Sequence, residues 1–380
     1  KRWLGLSLFV NIGLLVIFKY LNFFIGSFSD LLSSVGFAPN ISSLNIILPL
    51  GISFYTFQTL SYSIDVYRGK ISPSKDPVTF FAYVSFFPQL VAGPIERAKD
   101  LIPQFQKKRK FSYEEAKSGI RQMAWGFFKK IVIADNAGFY VDQVFSHTCE
   151  LPGSVLLLSI IFFAFQIYGD FSGYSDIAIG AAKLFGFKLS RNFAYPYFSR
   201  DVAEFWRRWH ISLTSWFKDY VYIPLGGSRG SPWMVARNTF IILLVSGLWH
   251  GANWTFIICG LINSILFLPL ILLGSNRKNL EIASKGNILP SLKELISMLS
   301  TFFLICFTWI FFRSPDLEFA LNFISQILSP SLFTIPATVL IDKKFLLFIL
   351  IFVGIEWIQR EKVTPLELGE LNVGLRWSAY

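Results

Sequence analysis

Long apolar runs restrict this 380-residue chain more than any other feature: Leu4–Tyr20, Leu44–Tyr62, Val155–Tyr168, Thr239–Leu273, Ile296–Phe312 and Phe345–Trp357. A helix needs about 20 apolar residues to cross roughly 30 Å of hydrocarbon, and several runs reach or approach that length. A strand edge or loop facing lipid would leave backbone N–H and C=O groups unpaired, so helices are the spanning element these runs permit. Thr239–Leu273 is long enough for a helical hairpin. Only 16% of the residues are charged, against about 25% in soluble domains, which excludes an ordinary soluble fold. The expected fold class is all-α: a polytopic integral membrane domain, one unit over residues 1–380, with broken or re-entrant helices where Gly and Pro cluster. No solenoid-period repeat or low-complexity segment interrupts it. The chain opens on Lys1 and stops at Tyr380 as an aromatic stretch begins. Both ends are expected to be truncations of a longer protein, and such a start gives no basis for assessing a signal peptide.

The formal net charge of +11 raises the question of a nucleic-acid partner, and the positions of the charges answer it. Arg97, Lys99, Lys107, Lys108, Arg109, Lys110, Lys129, Lys130, Arg200, Arg207 and Arg208 sit in short connections, where a membrane protein carries cytoplasmic positive charge. The expectation is a bilayer and no nucleic acid. Cys149, Cys259 and Cys306 are isolated, without metal-ligand spacing or a disulfide pattern; packing suffices for Cys259 and Cys306.

Several segments carry local signals. Pro49 and Gly51 interrupt the second run, and Phe86–Pro94 is too short and too punctuated to cross, so it reads as a re-entrant or interfacial turn. Ser112 followed by Glu114 and Glu115 marks a helix start. Between Gln166 and Ile177 two carboxylates, Asp170 and Asp176, lie between apolar stretches; they are expected to cap or pin broken helices beside a polar cavity. From Asp201 to Tyr220, Trp206, His210, Leu213 and Phe217 recur at helical spacing, with Arg207, Arg208 and Lys218 away from that stripe. This pattern predicts one continuous interfacial helix with rings at the headgroups and cations in water. The stretch Ile223–Gly230 turns the chain towards the next span.

Three histidines are present. His147 lies in a polar loop, where a solvated role suffices. His250 lies inside the longest apolar window. On a continuous helix its neighbours would be Ser246, Gly247, Asn253 and Trp254, small or polar groups where a packed face would carry Leu or Ile. Burial favours the neutral imidazole, whose free nitrogen can accept a proton. A histidine that bonds one helix to another fits the same spacing, and spacing alone does not separate the two. With no carboxylate assigned beside the buried histidines, no metal site is expected.

The segments Trp206–Leu213 and Leu248–Trp254 resemble motifs of the membrane-bound O-acyltransferase superfamily. Pro49–Phe54, Phe86–Ile95 and Gln166–Gly180 match further motifs in family order, and Tyr222–Gly230 is similar to the bacterial polysaccharide O-acetylation branch. Gly169 departs from the pattern, in which a larger residue precedes Asp170. The resemblance implies His250 as catalytic base and His210 as a second important polar position, with Ser246 and Asn253 placed to polarise a carbonyl. Trp206, Trp249 and Asp176 are expected to line the substrate path, a buried tunnel. It implies no bound cofactor: an acyl thioester, acetyl-CoA foremost, is the donor substrate from the cytoplasm. The acceptor is a hydroxyl of an exported polysaccharide or of a periplasmic partner, with acetylation or synthase proteins as associates and the bacterial inner membrane as location. D-alanyl transfer to teichoic acid, or a non-catalytic transporter or scaffold, are the competing readings; the internal repeats and intramembrane charge pairs common in transporters are not evident.

Overall fold

The computed structural model describes residues 1–37, 44, 46–146, 151–334 and 343–366, and among these every regular element is a helix. In chain order they are α1 (Arg2–Leu15), α2 (Leu21–Ser34), α3 (Ile52–Tyr67), α4 (Pro77–Val84), α5 (Ala98–Gln106), α6 (Tyr113–Phe127), α7 (Asp135–Ser146) and α8 (Gly153–Leu184). There follow α9 (Val202–Arg208), α10 (Ile211–Phe217), α11 (Pro232–His250), α12 (Trp254–Leu272), α13 (Leu292–Arg313), α14 (Leu317–Ile327) and α15 (Lys343–Gln359). Single π-helical segments join α1 to α2 (Val16–Tyr20) and α6 to α7 (Phe128–Ala134), and a third, Lys218–Tyr222, follows α10. Among the described residues five helical stretches are long and apolar enough to cross a membrane: Arg2–Ser34, Gly153–Leu184, Pro232–His250, Trp254–Leu272 and Leu292–Arg313. Their outer faces carry apolar side chains with no protein cover, as Trp3 and Phe9 on α1 and Leu299 on α13 show. A bilayer solvates such a surface, and water does not. His147 and Cys149 lie outside the described residues, as does the chain's end.

The apolar runs became helices at the expected places, except that in Leu44–Tyr62 the helix begins only at Ile52, after the Pro49–Gly51 interruption. Thr239–Leu273 folds as the pair α11 and α12, which turn at Gly251–Asn253. Phe86–Pro94 forms turns, and the Ser112 hydroxyl accepts the Glu115 N–H to start α6.

The central helix is α8, and it differs from the sequence expectation. Gln166–Ile177 does not break it; 32 residues run unbroken from Gly153 to Leu184. The carboxylates are pinned from outside by the neighbouring π segment. Lys130 pairs with Asp170 at 2.7 Å, and Lys129 pairs with Asp176, which also accepts from Gln122 at 2.8 Å. With each charge neutralised by a partner, the helix has no reason to unwind around it. Glycines let α6 approach closely enough for these pairs. A Cβ on Gly126 would sit 2.6 Å from the Gly173 carbonyl oxygen, and one on Gly119 2.6 Å from that of Gly180. Small residues at helix crossings serve this purpose in membranes, where close packing replaces hydrophobic drive. The departure at Gly169 has the same cause, because a Cβ there would meet the Lys129 carbonyl oxygen at 2.8 Å.

Overpacking this contact should therefore be costly, while a glycine in open space should tolerate a methyl group. Gly126→Val is expected to lose about 1–3 kcal/mol, seen as a lower thermal midpoint in detergent. Gly354→Ala on α15, where nothing lies within 4 Å of the added Cβ, is expected to leave that midpoint unchanged or raised.

Candidate active site

The helix expected over Asp201–Tyr220 is broken, and the break falls on a predicted site residue. α9 ends at Arg208, Trp209 is extended (φ −100°, ψ 128°), and His210 takes a left-handed conformation (φ 45°, ψ 55°) before α10 begins. Such a conformation costs a non-glycine residue of order 1–3 kcal/mol and persists where its surroundings over-determine it. The surroundings here are the strip Asn192–Ala194. Ala194 N–H donates to the Arg208 carbonyl and Ile211 N–H to the Asn192 carbonyl, both at 2.9 Å, so the strip takes up groups that the break releases. The Asn192 side-chain oxygen accepts from Ser212 N–H at 3.2 Å and from the Ser212 hydroxyl at 3.0 Å, and lies 3.1 Å from His210 Nδ1.

An amide oxygen only accepts, so this arrangement assigns the His210 proton to Nδ1. Nε2 is left with a lone pair, and it is buried without a hydrogen-bond partner. The ring is 1% exposed, with Phe171 edge-on at 4.5 Å and Trp249 at 6.0 Å between centroids. Burial, reinforced by His250 nearby, holds this imidazole well below the ordinary histidine range, hence neutral.

The arginines of α9 do not reach into water as expected. Arg207 donates to the carbonyls of Asn276 and Asn279 at 2.9 and 2.8 Å, and Arg208 to Glu204 at 2.7 Å and to Ala194 O at 3.2 Å. Glu204, 1% exposed, also takes Arg200. These bonds splint the short helix to the 275–291 loop and to the strip that holds His210.

His250 is the last residue of α11, and this moves its expected neighbours. Gly251 leaves the helix in an extended conformation (φ −163°, ψ 155°), so positions three and four beyond His250 are not on its helix. Asn253 instead caps α12, accepting from Thr255 N–H at 3.0 Å and donating to Pro315 O at 2.6 Å. It does not line the space beside His250. Ser246 does. The two residues border a narrow void of ≈ 20 Å³ between α9, α11, α12 and α13, together with Trp206, Cys259, Asn263, Trp309 and Phe312. That is room for about one water molecule. Trp206 is set by its indole N–H, which donates to Asn263 at 3.1 Å. The Trp249 ring packs against both histidines, at 5.1 Å from His250 and 6.0 Å from His210. Asp176 stands apart from the void, in a separate polar cavity with Lys129, Tyr168, Arg191 and Glu356.

One wall of the void has a second side. Phe312 packs edge-on against His250 at 5.2 Å, and it also borders an open cavity of ≈ 610 Å³. That cavity is walled by Phe171, which touches His210, and by Tyr174; Lys130, Gln166, Asp170 and Arg313 supply polar groups. Sequence reasoning missed Asn192, Asn263, Trp309 and Phe312. None lies in a motif around a histidine, and their approach is a product of the fold.

These features define a polytopic helical membrane protein whose interior gathers two histidines around one tryptophan beside an aromatic-walled void. The chain belongs to the membrane-bound O-acyltransferase family, whose model matches residues 72–312. It is 41% identical over 320 residues to "Probable alginate O-acetylase AlgI" of Pseudomonas aeruginosa, covering 84% of this chain and 59% of that protein. It is 37% identical over 348 residues to "Peptidoglycan O-acetyltransferase" of Helicobacter pylori, covering 85% and 64%. Likeness to "Teichoic acid D-alanyltransferase" of Bacillus subtilis is lower, 29% over 233 residues, covering 58% of each. The chain thus spans about three fifths of the length of the curated relatives it matches.

Asn192 has a testable role. Asn192→Ala leaves His210 Nδ1–H and both Ser212 donors without their acceptor. It should destabilise the protein by at least the roughly 1–3 kcal/mol of one unsatisfied buried donor, read as a lower thermal midpoint in detergent, whereas Asn253→Ala should leave the His250 void intact.

Proposed function

We propose that this protein is an O-acyltransferase that moves an acetyl group from a cytoplasmic thioester, acetyl-CoA, to a hydroxyl of an exported polysaccharide or of a periplasmic partner, with His250 as general base. The observation that carries this reading is the position of His250: at the end of a membrane helix, beside a void, and packed against Phe312, a ring that also borders a cavity large enough for a sugar. In the proposed step a His250 nitrogen takes the acceptor O–H proton as that oxygen attacks the thioester carbonyl carbon. The tetrahedral intermediate collapses with cleavage of the C–S bond, and the imidazolium returns the proton to the departing thiolate. Such a base typically contributes about 10²–10⁴ in rate. In this reading Ser246, which borders the same void as His250, donates its hydroxyl to the developing oxyanion. His210, with its proton on Nδ1, presents a second lone pair to the interior and serves to orient the reactants. Trp206 forms a wall of the void and Trp249 packs against both histidines, while Asn253 and Asp176 hold structure.

The ≈ 610 Å³ cavity suits the acceptor, since its aromatic rings and charged rim are the groups that stack on and bond to sugars. Loops rich in Lys and Arg, such as Lys107–Lys110, fit the cytoplasmic face of a bacterial inner membrane. Acetyl rather than D-alanyl transfer is favoured by the higher identity to the acetylating relatives.

The test is a His250→Ala strain with unchanged amounts of protein in the membrane. Polymer O-acetyl content is expected to fall by about 10²-fold or more while polymer export continues. Retained acetylation would refute His250 as base, and lost export would point to a transporter.

A further inference from the structure

The end of α11 is held by residues far away in sequence. The last carbonyls of a helix have no partner within it, and the extended Gly251 returns no N–H to them. At the π segment Val16–Tyr20 two adjacent side chains supply what is missing. The Lys19 ammonium donates to the Trp249 carbonyl at 2.5 Å and to the Ser53 hydroxyl at 3.0 Å, and the Tyr20 hydroxyl donates to the Leu248 carbonyl at 3.0 Å. Lys19 Nζ also lies 5.5 Å from the centre of the Trp249 ring, the ring that touches both histidines. The two carbonyls directly before His250 are therefore fixed from the α1–α2 junction.

This contact differs from ordinary packing of the first helix. The bonds of Lys19 run to a carbonyl and a hydroxyl, so a cation lies within an apolar segment with a helix C-terminus as its counter-pole. A positive charge is favourable there, and ionisable groups inside membrane segments are costly enough to mark function. π segments also recur at functional sites. Elsewhere along the same helix α1 docks on α3 through Asn11, which accepts from Thr59 at 2.6 Å. That bond anchors the helix without touching α11.

Resting on His250 as the base, we propose that Lys19, assisted by Tyr20, is a positioning residue for the reaction: it clamps the final turn of α11 and so sets where the His250 ring stands in the void. Lys19 lies outside residues 72–312, the part matched by the family model.

The experiment uses the full-length chain in membranes of its host, with labelled acetyl-CoA as donor and wild type and His250→Ala run in parallel. Lys19→Met is expected to lower kcat by about ten- to a hundredfold, the cost of a small misplacement of a reacting group. KM for acetyl-CoA and the amount of folded protein should stay unchanged. Lys19→Arg, which keeps charge and donors, is expected to recover part of the loss. Tyr20→Phe should show a smaller fall in kcat, and Asn11→Ala none. Full turnover in Lys19→Met would overturn the inference, as would a loss that Asn11→Ala reproduces or one that Lys19→Arg fails to relieve. Should Lys19→Met fail to accumulate, Lys19→Arg and Tyr20→Phe decide: lowered kcat at constant KM in Tyr20→Phe supports the clamp, and wild-type kcat in that variant overturns it. Activity surviving in His250→Ala is a separate result, since it removes the base itself and not the clamp.

Discussion

Much of the interior depends on one carboxamide. The Asn192 oxygen gathers His210 Nδ1, the Ser212 N–H and the Ser212 hydroxyl at 3.0–3.2 Å, while its backbone carbonyl takes Ile211 N–H. Without these bonds the segment 201–222 has every local reason to form one straight helix. With them it bends at His210, fixes which ring nitrogen bears the proton, and lays Trp206 against Asn263 on α12. The left-handed backbone at His210 is thus offset by bonds made in a different part of the chain.

A second group of contacts deals with charge in a low-dielectric interior. Glu204 takes Arg200 and Arg208, and Asp176 takes Lys129 and Gln122. Removing one member of such a pair leaves a buried charge uncompensated, which typically costs about 3–5 kcal/mol. The pairs do not by themselves make the protein stable; what they add is fixed geometry. They permit α8 to remain one helix through its polar middle and tie α9 to the strip that shapes the site.

The broad outline could be read from the sequence because period and length act locally. Apolar runs announce helices, the length of Thr239–Leu273 announces a hairpin, and Ser112 announces a cap. The errors arose where a distant partner overrides a local pattern. Trp206, His210, Leu213 and Phe217 fit a helical stripe well, and nothing within that window reveals the Asn192 strip that breaks it. Asp170 and Asp176 suggested a broken helix because their partners Lys130 and Lys129 lie about 40 to 50 residues away in the chain. Asn253 was placed beside His250 by counting along a helix that ends at His250. Ser246, on the N-terminal side of the same residue, was placed correctly because the helix there is intact.

The ring of Phe312 stands between two spaces of very different size, and this bears on the membrane itself. A bilayer holds an ion gradient only if no protein within it offers a continuous wet path. A void with room for about one water, bordered by Trp206, Trp309 and Phe312, breaks such a path by excluding the water chain that ions and protons need. The seal rests on dehydration: packed rings leave no room for the chain of waters that would carry a charge across.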